Sequence, residues 1–147
     1  EGPSPHNANL AVKGIVGLEA YSRLLEARGR GEDAAPYRQL ARGFAAQWAR
    51  LADDGDHYRF QLDLPGTWSA KYNFMWQVAL RQTAFPAAMM RKDFDYSMGK
   101  MRRCGIPMDN RHNFTTLDHM IFTAVLGSRD DFVAVARAAF RYANTTP

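Results

Sequence analysis

The chain has 147 residues, 46% of them hydrophobic, with nine Phe, six Tyr and three Trp, enough for one domain with a sizeable core. Its formal net charge of +4 comes from 15 Arg and 4 Lys against 15 acidic residues; the arginines are scattered, with Arg38, Arg42 and Arg50 at helical spacing opposite an apolar face, so nucleic-acid binding is not expected. No run approaches the ~20 apolar residues of a membrane span, and the single cysteine, Cys104, excludes an internal disulfide or a multi-cysteine zinc site.

The first predicted helix covers 10–28. Asn7 or Asn9 can cap its start, and Gly29 stands where a left-handed residue ends a helix. Leu10, Val12, Ile15, Val16, Leu18, Tyr21, Leu24 and Leu25 make it apolar nearly all round, the pattern of an interior helix. Gly14 and Gly17 each cost about 1 kcal/mol inside a helix, which close packing against a neighbouring helix would offset. Lys13 is the lone cation in this apolar setting, and a lysine buried there needs a specific partner. A second, amphipathic helix is expected over 36–52, with Pro36 in its first turn and Tyr37, Leu40, Ala41, Phe44, Ala45, Trp48 and Leu51 on one stripe.

Asp53-Asp54-Gly55-Asp56 reads as a turn, and Tyr58, Phe60 and Leu62 alternate with polar residues, enough for one small hairpin or edge strand. A third apolar helix is predicted over 70–83; opened by Trp68, it places Trp68 and Tyr72 on one helix face at i and i+4. Pro86 begins a fourth through 103, stopped by Gly105 and Pro107. Thr115-Thr116-Leu117-Asp118 has the form of a capping box before a fifth helix over 117–126, and Ser128-Arg129-Asp130-Asp131 repeats it before a sixth.

Apolar and amphipathic helices thus alternate three times over, and short connections make each pair an antiparallel αα-hairpin. The expected fold is all-α. Alternating buried and half-buried helices suit a double-layered (α/α)6 toroid with the odd helices inside, and three hairpins form only an arc of such a ring. Residues 1–147 are therefore expected to be a single helical unit belonging to a larger catalytic domain, with the remaining domains of the same polypeptide as its partners; a compact six-helix bundle is the alternative.

In that arrangement the loops entering the first, third and fifth helices meet at one end, and all three are rich in hydrogen-bonding groups suited to a small polar substrate. The segment 105–119 has the most varied chemistry. Asp109 braces its loop or acts as general acid or base, and Arg111 pairs with Asp109 or Asp118 or binds a substrate carboxylate through its guanidinium fork. Asp118 is a capping carboxylate or a second catalytic acid, and His112 is a proton shuttle or a surface hydrogen-bonder. Trp68 and Tyr72 are core packing or an aromatic wall, with Asn73 and Asn9 as polar contacts. His57, His112 and His119 lack metal-ligand spacing, and no motif calls for a cofactor.

Asn9-Leu10-Ala11-Val12-Lys13-Gly14-Ile15, Asp54-Gly55-Asp56-His57-Tyr58, Pro65-Gly66-Thr67-Trp68-Ser69-Ala70-Lys71-Tyr72-Asn73, Ile106-Pro107-Met108-Asp109-Asn110-Arg111 and Phe114-Thr115-Thr116-Leu117-Asp118 occur in the order seen in the glutaminase A family, which the chain resembles over nearly its whole length. The resemblance implies part of a six-hairpin toroid, hydrolysis of glutamine to glutamate and ammonia, and secretion. The chain departs from the family pattern at Leu117 and His119. Two other functions stay open: a toroidal glycosidase using Asp109 with Asp118 or Asp63 as a carboxylate pair on a sugar, and a helical module that binds without catalysis.

Overall fold

A computed structural model describes residues 4–145. They form an all-helical structure of α1 (Ala8–Ala27), α2 (Gly31–Ala52), α3 (Phe74–Ala79), α4 (Ala87–Gly99), α5 (Leu117–Ala124) and α6 (Arg129–Thr145). Among the described residues there is no strand. The alternating segment at Tyr58–Leu62 makes only isolated bridges, Asn7 with Gln61 and Tyr58 with Asp53, because its backbone groups go to three different segments: Ala8 N–H donates to Phe60 O and Leu62 N–H to His6 O around the start of α1, Arg59 N–H to Ala52 O, and Phe60 N–H to Thr67 O.

Helix α1 begins as the sequence asks, with Asn7 Oδ1 accepting from Leu10 N–H at 2.9 Å. It ends in a Schellman turn in which Gly29, at φ 72, lets Arg30 N–H reach Leu25 O. Helix α2 starts five residues before Pro36, so the proline sits inside it instead of in its first turn. Glu32 and Asp33 favour the earlier start by placing negative charge at the positive helix end.

The third helix differs most from expectation. It keeps only six residues, and Trp68 and Tyr72 lie in the loop before it, on no common helix face. The cause is competition for backbone donors: Trp68 N–H goes to Asn110 Oδ1, Ala70 N–H to Met108 O, Lys71 N–H to Asp93 Oδ2 and Asn73 N–H to Asn9 Oδ1. At its far end a second Schellman turn has Arg81 at φ 51, with no glycine to announce it. The Arg23 guanidinium steadies that turn by donating to Leu80 O and Arg81 O, both at 2.6 Å.

Helix α4 stops at Gly99, four residues short of the predicted end, where 102–105 closes a tight turn through mutual Arg102 and Gly105 backbone bonds. The box expected before α5 does not form: the N-cap is Thr116, so Asp118 is one position too early to reach back, and Thr116 makes no side-chain cap bond. The box before α6 does form, with Ser128 Oγ accepting from Asp131 N–H at 3.2 Å and Asp131 Oδ2 from Ser128 N–H at 2.9 Å.

Helix contacts run from α2 to α1, α1 to α3, α3 to α5 and α5 to α6, so the odd helices stand in one row with α2 packed on α1 and α6 on α5. The pair α3 and α4 is joined less by helix contact than by side chains, with Gln77 bonding the Phe85 backbone at both its N–H and O. One core centres on Trp48, whose ring meets Tyr58, Phe74 and Phe85 at 4.9, 5.7 and 5.5 Å and whose Nε1 donates to Ala8 O. A second holds Ile106, Met120, Ala124, Val135 and Ala139. Helix α1 is buried on one face only: Leu10 is 54% and Leu24 63% exposed, and a Cβ at Gly14 or Gly17 would meet nothing within 4 Å. The close packing expected at these glycines is absent among the described residues.

Candidate functional site

The loops entering α1, α3 and α5 do come together. Asn9 and Asn73, 0% and 3% exposed, bolt the start of α1 to the start of α3, since Asn73 N–H donates to Asn9 Oδ1 and Asn73 Nδ2 to Asn9 O. Trp68 and Asn110 exchange two bonds, and Ser69 bridges Asp109 across the same junction. Tyr72 stacks on His119 with ring centroids 4.0 Å apart, and Trp68 meets Tyr96 of α4 edge-on at 5.9 Å.

Beneath this junction lies a lysine that sequence reasoning passed over. Lys71 is fully buried, and its Nζ donates to Tyr58 O at 2.9 Å, Ser69 O at 2.7 Å and Asp93 Oδ1 at 3.4 Å. Burial pushes the Asp93 carboxyl up, opposed by the charge and hydrogen bonds of Lys71. A signal existed, because Asp93 falls on the buried stripe of α4 with Phe94 and Ser97, where a carboxylate needs a cation. Lys13, which was expected to be the buried lysine, is exposed. It turns outward on α1, where an amine needs no partner.

Asp109, Arg111, His112 and Trp68 line one polar cavity of about 560 Å³ together with Lys100, Arg102, Pro107, Asn110 and Asn113. Tyr72, Asn73, Asn9, Asp118 and Lys13 are not among its lining residues. Asp109 is 5% exposed and is wrapped by Arg111, whose backbone N–H and Nε donate to Oδ1 at 2.9 and 3.0 Å and whose terminal nitrogen donates to Oδ2 at 2.7 Å. Burial alone would raise the Asp109 carboxyl, but the Arg111 bonds and charge outweigh it and hold it below the usual carboxylate range. The Arg111 guanidinium also lies over the Phe60 ring at 4.6 Å. Asp118 has a 62% exposed side chain, and Asp63 is bound by His6 at 2.7 Å, so neither faces Asp109 in the cavity.

His57 borders the junction from the other side. It stacks on Tyr96 at 4.4 Å and contacts Asp56 at 2.7 Å through Nδ1, while Nε2 is buried with no hydrogen-bond partner among the described residues, 3.5 Å from Asp54. No group of three or more His, Cys, Asp or Glu side chains among the described residues is arranged to hold a metal ion. Nor is any described helix long and apolar enough to cross a membrane.

The family model described as the glutaminase A six helical-hairpin domain matches residues 1–147. The chain belongs to this family. Among curated relatives, "Glutaminase A" of Aspergillus oryzae is 26% identical over 150 residues, covering 99% of this chain and 22% of the relative. "Probable glutaminase" of Arthroderma benhamiae is 22% identical over 167 residues, covering 94% of this chain and 19% of the relative. The chain therefore spans about a fifth of the length of these glutaminase-named proteins. No solved structure matches it significantly. Membership in a six-hairpin family agrees with the layer of odd helices and the absence of a sheet among the described residues.

Proposed function

We propose that these residues supply one polar wall of an amide-hydrolysing site for glutamine-like substrates, within a longer six-hairpin catalytic domain. What carries the reading is that Asp109, Arg111, His112 and Trp68 line a single cavity in a chain whose relatives bear glutaminase names. Hydrolysis adds water to the amide carbon and releases the nitrogen as ammonia, which requires a proton acceptor, donors for the oxyanion and a held substrate. Asp109, kept ionised by Arg111, is the acceptor that orients water or the substrate nitrogen. Arg111 holds the Asp109 carboxylate in place and ionised at the cavity wall, and His112 offers an imidazole at the rim. Trp68 gives the aliphatic part of the substrate a flat apolar surface.

Ammonia release from L-glutamine by the complete protein tests this. Asp109→Asn should lower kcat/KM by about 100-fold or more, and Arg111→Ala should lower it as well. Undiminished activity in both variants would overturn the roles. Glycosidic cleavage by a carboxylate pair has less support, because the cavity presents Asp109 without Asp118 or Asp63.

A further inference from the structure

The cavity carries more positive charge than its one carboxylate can use. Its lining includes Lys100, Arg102 and Arg111 against Asp109 alone. Arg111 and Asp109 neutralise one another through the bonds described, which leaves the excess at Lys100 and Arg102.

Both cations are positioned, and neither is neutralised. Lys100 caps the C-terminus of α4, and its Nζ stands 4.4 Å from the Tyr96 ring centroid and 5.9 Å from that of Trp68. Aromatic faces attract an ammonium without cancelling its charge. The carboxylate that feels Lys100, Asp56, is already bound by His57 at 2.7 Å. Arg102 has its backbone fixed by the tight turn to Gly105, and its guanidinium makes no ion pair among the described residues. It stands where this cavity adjoins a second, mostly apolar one of about 390 Å³, which shares Arg102, Pro107 and Asn113.

We infer that Lys100 and Arg102 form a subsite for a carboxylate group of the ligand, with Arg111 reserved for Asp109. The choice of carboxylate over other anions rests on the amide-hydrolase reading, since glutamine carries an α-carboxylate. The planar guanidinium of Arg102 matches a carboxylate edge, and the Lys100 ammonium supplies a point charge beside the aromatic wall. A ligand so held lies with its carboxylate at the rim and its side chain along Trp68 toward Asp109.

The test is calorimetric binding of L-glutamate, which has no amide to turn over, to the complete protein. Lys100→Gln and Arg102→Gln should each weaken it about tenfold, Lys100→Arg should retain it, and Arg137→Gln on α6 should leave it unchanged. The diamide of glutamic acid, which lacks both carboxylates and keeps only the α-ammonium, should bind the parent more weakly and should not be weakened by the same substitutions. Circular dichroism checks that the variants fold. Failure of the parent to bind L-glutamate, parent-like binding by both Gln variants, or equal losses for the diamide would overturn the subsite. Binding that depends on both cations without ammonia release from glutamine would keep the subsite and sink the hydrolase reading. Ammonia release with KM unchanged in both Gln variants would do the reverse.

Discussion

Asp109 and Arg111 are two positions apart, and their pairing makes the loop depend on pH. The folded-state pKa of Asp109 lies below the ordinary value of 3.8, so the unfolded chain binds more protons in that range. The stabilisation is complete above 3.8 and is lost as pH falls through the folded value. Fluorescence of Trp68, whose backbone is tied to Asn110, should therefore report loosening of this junction under acid, and Asp109→Asn should flatten that pH dependence. A titration identical in parent and variant would remove Arg111 as the cause. Sequence made this pair visible, because an acid and an arginine so close in a proline-stiffened loop can hardly avoid each other. It could not show that the pairing occupies the guanidinium offered to a substrate carboxylate, nor that Lys100 and Arg102, just outside the segment 105–119, line the same cavity.

At the scale of elements, the segments that followed their local sequence are those whose backbone bonds stay local. Helix α1 and the box at Ser128 and Asp131 show this. Helix α3 was misread because the backbone N–H groups of Trp68, Ala70, Lys71 and Asn73 bond to other segments, and periodicity is blind to such partners. Lys71 and Asp93 are the centre of that diversion, since they tie the loop before α3 to the middle of α4. Lys71→Met leaves Asp93 buried and unpaired and should cost about 3–5 kcal/mol, and Asp93→Leu should cost a similar amount. The double variant should recover a good part of the loss, with the shortfall set by the orphaned carbonyls of Tyr58 and Ser69. Urea unfolding of the four proteins measures the coupling, and strict additivity would show that the two residues act independently.

Across the whole molecule, the odd helices stand side by side but leave apolar surface uncovered. Leu10, Leu24 and Phe140 are among the exposed side chains, and a groove of about 520 Å³ between α1 and α2 is lined by Ala11, Gly14, Ile15, Phe44 and Leu51. In the longer six-hairpin domain proposed above, further hairpins would cover surface of this kind. The 147-residue chain prepared alone should bind a hydrophobic dye and associate in sedimentation, whereas a monomer that ignores the dye would favour the compact bundle. The sequence conveyed the layering through the alternation of apolar and amphipathic helices, but it could not tell a covered apolar face from one left open among the described residues, as Gly14 and Gly17 show. One amine gives this architecture a clock. Lys71 is sealed from water while Lys13 is exposed, so an amine-modifying reagent should tag Lys13 promptly and reach Lys71 only when the three loops part. The delay between the two labels, followed by mass spectrometry, is a direct measure of how often the polar end of the molecule comes undone.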